Sequence, residues 1–193
     1  MEKTDRRVGR TKRMLRQAVV ELVTEKGFEA ITIRDITERA DVAYATFFRH
    51  YESKEALLIE QVEILIKDFE EVAHASAVDS PIEAEGVLLF THIKDNRHFY
   101  RKLLSKYAGQ SFLIRLKEVI SRHTRAYIEP FYAQGKQPLI PLEIALNHIA
   151  ASALELVIWW LEHNSPLSPA QMADIYRRLV IDTTLRAISD NQT

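Results

Sequence analysis

Apolar residues recur at steps of three and four along most of the chain, which is the spacing of one face of an α-helix. The first apolar stripe ends near Lys26, and Gly27 follows it as a helix-ending residue. In the next segment Thr32 is placed as a helix N-cap, with Asp35 three residues later as a capping-box-like partner. No alternating run bounded by turn residues is long enough to predict a strand. The pattern therefore predicts an all-α protein.

Longer helices are predicted beyond residue 53. The last two are expected to span about residues 141–163 and 168–189, joined by a loop rich in serine and proline. Ser168 is a natural N-cap there, and Pro169 is a natural first helical residue.

The composition agrees with an all-α globular protein and excludes several other classes of protein. The chain has 193 residues, 47% of them hydrophobic and 27% charged, which is typical of a folded globular protein. It contains no cysteine, which excludes disulfides, thiolate zinc sites and iron–sulfur clusters built from this sequence. The N-terminal sequence lacks the apolar core of a signal peptide, and polar residues interrupt the most apolar stretch, residues 142–161. We therefore expect a cytoplasmic protein with no membrane span.

The charge is distributed unevenly. Residues 1–16 contain seven lysines and arginines but two acidic residues, although the net charge of the whole chain is −1. Basic charge gathered at one end of a nearly neutral chain favours a small head that binds a polyanion. A solvated basic tail explains the charge alone equally well.

The first fifty residues have the layout of a helix-turn-helix, in which a third short helix enters the major groove of DNA. The segments TIRDI at 32–36, ADVAYATFFRHY at 40–51 and SKEALL at 53–58 make this more specific. Together with Gly27 and Phe28 after the first helix, they resemble the TetR family of repressors over roughly residues 8–60. The resemblance implies an N-terminal DNA-binding domain, which we place at residues 1–56, and a helical sensing and dimerisation domain at residues 57–193.

The resemblance also implies which side chains contact DNA. The hydroxyl of Thr32 would point at a phosphate, and Arg34 would reach a guanine edge or the backbone. Phe48 departs from the family, which usually has a tyrosine there that donates to a phosphate. Phe48 and Tyr51 could equally belong to the small core of the head. The residues expected at the DNA are Thr32, Arg34, Tyr44, Ala45, Thr46, Phe48, Arg49, His50 and Lys54.

A head of this size reads one half-site, so we expect a homodimer on a palindromic operator. The predicted helix at 141–163 is apolar nearly all round and must be covered on both sides. The resemblance implies that it joins the final helix in a four-helix dimer interface; alternatively, both helices fill the core of a monomer. The residues expected at the interface are Ile149, Ala153, Trp160, Met172, Tyr176 and Leu179.

The middle helices are expected to enclose an effector pocket, as the family resemblance implies. The aromatic candidates for its lining, each of which could instead pack in the core, are Phe69, Phe90, Phe99, Tyr100, Tyr107, Phe112, Tyr127 and Trp159. The polar candidates are His92, His123, Asn147 and His148. Residues 99–104 and 159–173 resemble, more loosely, a TetR-family subgroup that includes dihydroxyacetone kinase activators. In that subgroup a protein partner can carry the signal, so the effector class stays open.

These features predict a transcriptional regulator, most simply a repressor released from DNA by an effector, with no enzymatic activity, no cofactor and no bound metal. An activator or a partner-controlled regulator of the same fold is the alternative. A helical enzyme is a weaker one, because the sequence has no Gly-x-Gly-x-x-Gly, Gly-x-x-x-x-Gly-Lys, Gly-x-Ser-x-Gly or His-Glu-x-x-His motif. Two further alternatives are open. One is a metal sensor that uses His92, His98 and His123, and the other is a membrane-surface protein that uses the basic N-terminus.

Overall fold

The computed structural model describes residues 2–75, 81–104, 110–132 and 140–189. All regular secondary structure in these residues is helical, which confirms the predicted all-α class. The elements are α1 (Glu2–Lys26), α2 (Ile33–Arg39), α3 (Tyr44–Phe47), α4 (Lys54–Ala75), α5 (Pro81–Asp95), α6 (Arg97–Leu103), α7 (Gln110–Tyr132), α8 (Leu142–Glu162), α9 (Pro169–Tyr176), a π-helical segment (Arg177–Asp182) and α10 (Thr183–Ser189).

The described residues divide into two compact units. The N-terminal unit lies within residues 1–64 and 98–113, and the C-terminal unit within residues 65–97 and 114–193. Helices α1 to α3 belong wholly to the first, and α5, α8, α9 and α10 wholly to the second. Helices α4, α6 and α7 contribute residues to both.

The core of the N-terminal unit is the apolar stripe of α1. Its members are fully buried in the structure: Leu15, Ala18, Val19, Leu22 and Val23. Helix α1 ends where Gly27 adopts a φ of 81°, a left-handed conformation that glycine takes without steric cost. The Gly27 N–H donates to the carbonyl oxygen of Val23 at 2.9 Å, and the turned chain then buries Phe28.

The core of the C-terminal unit is built around α8 and the segment that follows α9. One cluster of buried side chains comprises Ile128, Ala145, Leu146, Ile149, Val180, Ile181 and Ile188. Helix α5 packs against α9, and there Gly86 lies close to the Ala173 side chain. Small residues at this crossing allow the two helix backbones to approach closely.

The helix predicted over 168–189 is present, but its centre has π-helical rather than α-helical geometry. A π-helical segment separates α9 from α10, and within it the Arg177 guanidinium donates to the carboxylate of Asp182 at 2.7 Å. A π-turn places residues five apart close together, whereas an α-helix places those three or four apart together. The start of α9 is as predicted: Ser168 forms a capping box with Gln171, and Pro169 is the first helical residue.

Among the described helices, α8 alone is long and apolar enough to cross a membrane by length and composition. Eight of its residues are buried inside the protein, including Leu146, Ile149 and Trp160. A core helix passes the same test, and this burial accounts for its apolar character.

Candidate nucleic-acid interface

The turn between α2 and α3 is a Schellman motif. The Val42 N–H donates to the Thr37 carbonyl at 2.9 Å, and the Asp41 N–H donates to the Glu38 carbonyl at 3.2 Å. Asp41 has a φ of 51°. Aspartate is one of the few residues other than glycine that occupy this left-handed region without severe strain. The motif fixes the direction in which α3 leaves α2.

The capping box predicted at the start of α2 is present. The Thr32 hydroxyl accepts from the Asp35 N–H at 3.1 Å and donates to the Asp35 carboxylate at 2.6 Å, while the Thr32 N–H donates to that carboxylate at 2.8 Å. The Thr32 hydrogen bonds lower the pKa of Asp35 to about 2, and Lys26 adds to the effect. Thr32 is exposed, but its hydroxyl proton is held by Asp35 in this conformation.

Helix α3 presents an aromatic surface. Tyr44 and Phe48 are 52% and 49% exposed, with their ring centroids 5.3 Å apart in an edge-to-face arrangement. Phe47 points the other way and is fully buried. Ala45 and Arg49 are also exposed. Four of the predicted DNA-contacting residues therefore lie on the solvent side of α3 and the turn after it.

The last turn of this recognition segment is tighter than an α-helix. The Arg49 N–H donates to the Thr46 carbonyl, and the His50 N–H donates to the Phe47 carbonyl, both three residues back. Such bonds are common where a helix ends. Thr46 and His50 are half-buried, and Arg34 is exposed on α2.

Lys54, one of the residues expected at the DNA, also makes contacts inside the N-terminal unit. Its ammonium donates to the carbonyl oxygens of Phe28 and Ile31, each at 2.9 Å, and lies 4.5 Å from the centroid of the Phe28 ring. An ammonium has three donors, so two of them are used inside the unit. Lys54 thus ties the start of α4 to the loop between α1 and α2.

Glu60, which was not predicted from the sequence, joins α4 to α1. Lys12 donates to its carboxylate at 2.6 Å, Arg16 at 3.3 Å, and the Tyr51 hydroxyl also donates to it. Burial alone would raise the pKa of Glu60, but these donors outweigh it and hold the pKa below its usual value. Two of the seven N-terminal basic residues therefore pair within the unit, whereas Arg7, Arg10 and Arg13 are exposed.

The described aromatic residues predicted for the pocket have neighbours within their own units. In the N-terminal unit Phe112 packs on Phe28, and Phe99 packs on Tyr100. In the C-terminal unit the others have separate partners: Phe69 contacts His92, Phe90 contacts Trp160, and Trp159 stacks on His163. Tyr107 lies outside the described residues. Phe90 and Phe112 are fully buried core residues.

Tyr127 belongs to a partly buried polar cluster in the C-terminal unit that was not predicted from the sequence. His123 bridges two carboxylates, with Nδ1 2.8 Å from Glu70 and Nε2 3.0 Å from Glu85, and the Tyr127 hydroxyl donates to Glu85. Burial disfavours the imidazolium, but the two carboxylates outweigh it and raise the pKa of His123. A glutamate among apolar residues of a core helix, as at position 85, was the available signal.

A small cleft of about 190 Å³ lies between α5, α9 and the π-helical segment. Its lining comprises Gly86, Val87, Ala170, Ala173, Asp174, Tyr176, Arg177 and Ile181. The residues predicted at the dimer interface differ in exposure: Ile149, Trp160 and Met172 are buried within the chain, Ala153 and Tyr176 are half-buried, and Leu179 is 63% exposed. Among the described residues no group of three His, Asp or Glu side chains is arranged to hold a metal ion.

Two curated relatives match part of this chain. It is 40% identical over 80 residues to the uncharacterized HTH-type transcriptional regulator YxbF of Bacillus subtilis, covering 41% of this chain and 20% of the relative. It is 41% identical over 63 residues to the HTH-type transcriptional repressor KstR of Rhodococcus jostii, covering 33% of this chain and 28% of the relative. The matches thus span less than a third of the length of either relative.

Solved structures match nearly the whole chain. A TetR transcriptional regulator from Streptococcus agalactiae is 25% identical with a TM-score of 0.61, covering 92% of this chain and 97% of that one. Thermus thermophilus FadR in complex with lauroyl-CoA is 19% identical with a TM-score of 0.60, covering 88% and 93%. The dihydroxyacetone kinase operon activator DhaS is 17% identical with a TM-score of 0.51, covering 95% and 98%. The last two likenesses concern the fold alone.

Two protein-family models match the sequence of this chain, one in its N-terminal part and one in its C-terminal part. "Bacterial regulatory proteins, tetR family" matches residues 15–60, and "Transcriptional regulator C-terminal region" of the TetR class matches residues 86–182. The first match covers the Schellman turn, α3 and the Lys54 and Glu60 contacts, and the second covers most of the C-terminal unit. The chain belongs to the TetR family of transcriptional regulators.

Proposed function

We propose that this chain is a homodimeric transcriptional repressor that binds a palindromic operator and is released when an effector binds the C-terminal domain. Residues 1–56 act as the DNA-binding domain and residues 57–193 as the sensing and dimerisation domain. The protein works in the cytoplasm by binding alone, without catalysis, a cofactor or a bound metal.

The exposed surface of α3 carries this proposal. Tyr44, Ala45, Phe48 and Arg49 face solvent from a short helix that a Schellman turn holds in a fixed direction, while Phe47 anchors it in the core. A recognition helix needs this division between an anchoring face and a reading face. Thr32, Arg34, Thr46 and His50 complete the proposed contact surface. Lys54 joins it through its third donor, because its other two are used by backbone carbonyls.

Dimerisation is proposed through the C-terminal unit. Leu179 is 63% exposed and Ile144 is 59% exposed, which leaves large apolar side chains at the surface near α8 and the π-helical segment. Because Ile149, Trp160 and Met172 are buried within one chain, they support the interface from beneath. Leu179, with the half-buried Ala153 and Tyr176, is proposed to contact the partner directly.

Effector control is proposed to act by population shift. An effector that prefers the released conformation can lower operator affinity by no more than its differential affinity for the two conformations. Thermus thermophilus FadR has the same fold, and its crystal structure was solved in complex with lauroyl-CoA. That complex supports an effector site in the helical body without identifying the effector of this chain. The predicted residues Phe69, Phe99, Tyr100, Tyr107, Tyr127 and Trp159 remain candidates for its lining.

An activator of the same architecture is the second candidate. DhaS, which shares the fold over most of both chains, is a dihydroxyacetone kinase operon activator. KstR, which is 41% identical to this chain over 63 residues, is a transcriptional repressor. The closer local match favours repression.

Selection from a random duplex pool at moderate salt tests the proposal, with sequencing of the retained DNA. We expect a palindrome with two half-sites at a fixed spacing, and a stoichiometry of two chains per site. The Arg49→Ala variant should retain the same sequences with uniformly lower affinity, as loss of a phosphate contact requires. Retention without enrichment of any sequence, or binding as a monomer, would contradict the proposal. A transcription assay on the selected operator then separates repression from activation.

A further inference from the structure

We propose that Tyr44 and Phe48 form an apolar reading surface for the C5-methyl groups of thymine in the operator. This inference rests on the proposed sequence-specific binding and adds which base chemistry the recognition helix reads. The surface, called here the Tyr44–Phe48 pair, consists of those two rings on the exposed face of α3 and the turn after it.

The pair is ordered before any DNA is present. The Phe48 ring lies edge-on to Tyr44, with 5.3 Å between centroids, and to the buried Phe47 ring at 5.4 Å. Aromatic pairs at these distances and angles attract one another beyond the area they bury. Phe48 is thus held between an exposed ring and a core ring, although about half of its surface faces solvent.

The sequence of the helix leaves few other ways to read a base. Residues 43–48 are Ala, Tyr, Ala, Thr, Phe and Phe, so they contain no guanidinium, amide or ammonium group. The bidentate contacts to guanine and adenine in the major groove come from Arg, Lys, Asn and Gln. On the major-groove edges of the four bases, the C5-methyl of thymine is the apolar group. An exposed apolar surface therefore matches thymine best.

The surrounding charges fit a DNA occupant. Arg49 directly follows the pair and is exposed, His50 is half-buried beside it, and Arg34 is exposed on α2. The two exposed arginines can contact phosphates and fix the helix in the groove. The pair is continuous with the face that family membership assigns to DNA, which distinguishes it from an apolar patch of unknown occupant.

Deoxyuridine substitution tests the inference, because it removes the thymine methyl and leaves the Watson–Crick pair unchanged. The selected operator is made with each thymine replaced in turn, and its Kd for the full-length protein is measured. At one or two positions in each half-site we expect affinity to fall about fourfold, which corresponds to roughly 0.8 kcal/mol for one methyl group. In the Phe48→Ala and Tyr44→Ala proteins that deoxyuridine penalty should disappear.

Two variants control for folding and for general loss of apolar surface. Phe48→Tyr keeps the ring and should retain the penalty. Phe131→Ala removes an exposed aromatic ring from α7 and should change neither affinity nor the penalty. Equal affinity for the thymine and deoxyuridine operators, or a penalty that persists in both alanine variants, would overturn the inference while leaving the selected palindrome intact. Failure to select any sequence would instead overturn the proposed function, and this inference with it.

Discussion

Lys54 shows how a residue that matches a DNA-binding pattern can hold the fold at the same time. Its ammonium is shared between the carbonyl oxygens of Phe28 and Ile31 and the face of the Phe28 ring. These carbonyls belong to the loop that follows Gly27, between α1 and α2. A lysine here therefore supplies both a cation near the proposed DNA surface and two hydrogen bonds to that loop.

Replacing this lysine should destabilise the protein before it affects DNA. In Lys54→Met both carbonyls lose the ammonium donor, although Phe28 still accepts from the Ile31 N–H at 3.4 Å, and we expect the free energy of unfolding to fall by about 1–3 kcal/mol. Denaturant unfolding measures the loss. Lys67→Met, in the exposed middle of the same helix, is the matched control and should change stability by less than about 0.5 kcal/mol. Equal effects of the two substitutions would show that the carbonyl contacts contribute nothing.

At the scale of elements, two capping boxes start helices in different units. Thr32 pairs with Asp35 at the start of α2, and Ser168 pairs with Gln171 at the start of α9. The two boxes share the reciprocal hydrogen bonds with the backbone N–H groups, and the Thr32 hydroxyl also donates to Asp35. The first box belongs to the unit that carries the proposed DNA surface. Comparing substitutions at the two caps therefore distinguishes an effect on helix stability from an effect on DNA binding.

Alanine at either cap should cost about 0.5–2 kcal/mol of stability, because the hydroxyl that accepts an orphan N–H is lost. Ser168→Ala should leave operator affinity unchanged at temperatures where the protein is folded. Thr32→Ala should also weaken operator binding severalfold, since Thr32 is proposed to lie against a phosphate. Thermal melting and anisotropy titration measure the two effects. If Thr32→Ala leaves operator affinity unchanged, Thr32 acts only as a helix cap and does not contact the DNA.

The His123 cluster acts at the scale of the whole C-terminal unit, because it joins three helices. Glu70 lies on α4, Glu85 on α5, and His123 and Tyr127 on α7. Each contact bridges helices that are distant in sequence. The charge of one imidazole therefore affects the packing of all three helices.

This cluster predicts a pH dependence with a definite sign. The folded-state pKa of His123 is raised above its usual 6.5, so its stabilisation is complete below that value and is lost as pH rises through the folded-state pKa. We expect stability to fall as the pH rises above about 6.5, and His123→Asn to flatten this fall. His98→Asn, an exposed histidine, should leave the profile unchanged. The same slope in wild type and His123→Asn would contradict the assignment.

The proposed dimer gives a second prediction for the whole molecule. Leu179→Lys places a charge on the exposed apolar surface proposed to meet the partner, and burying an unpaired charge opposes association. We expect sedimentation to shift from dimer toward monomer and operator affinity to fall at least tenfold. Ile114→Lys, on an equally apolar exposed site of α7, should change neither. If the Leu179→Lys protein remains a dimer, the interface must lie on another surface.

The helices of the head were predictable because each is marked by a local signal: an apolar stripe, a Gly27 stop, a Thr32 cap. The π-helical segment was not, since apolar spacing hardly changes over one widened turn and only the five-residue separation of Arg177 and Asp182 indicates it. The Glu60 and His123 clusters join side chains that are far apart in sequence. The spacing of apolar residues along the chain carries no information about such contacts. The face of α3 was predicted by resemblance, whereas the edge-on packing of Tyr44 and Phe48 needed coordinates.

The two tryptophans of the chain are adjacent, and α8 gives them opposite surroundings. Trp159 is 43% exposed and stacks on His163, whereas Trp160 is buried against Phe90 and donates its indole N–H to the Leu167 carbonyl. Their fluorescence should therefore separate into a red-shifted component accessible to iodide and a blue-shifted component that iodide does not reach. A ligand or partner that reaches the end of α8 would change the first component alone. A rearrangement of the core would change the second, so the protein carries its own optical reporters for both events.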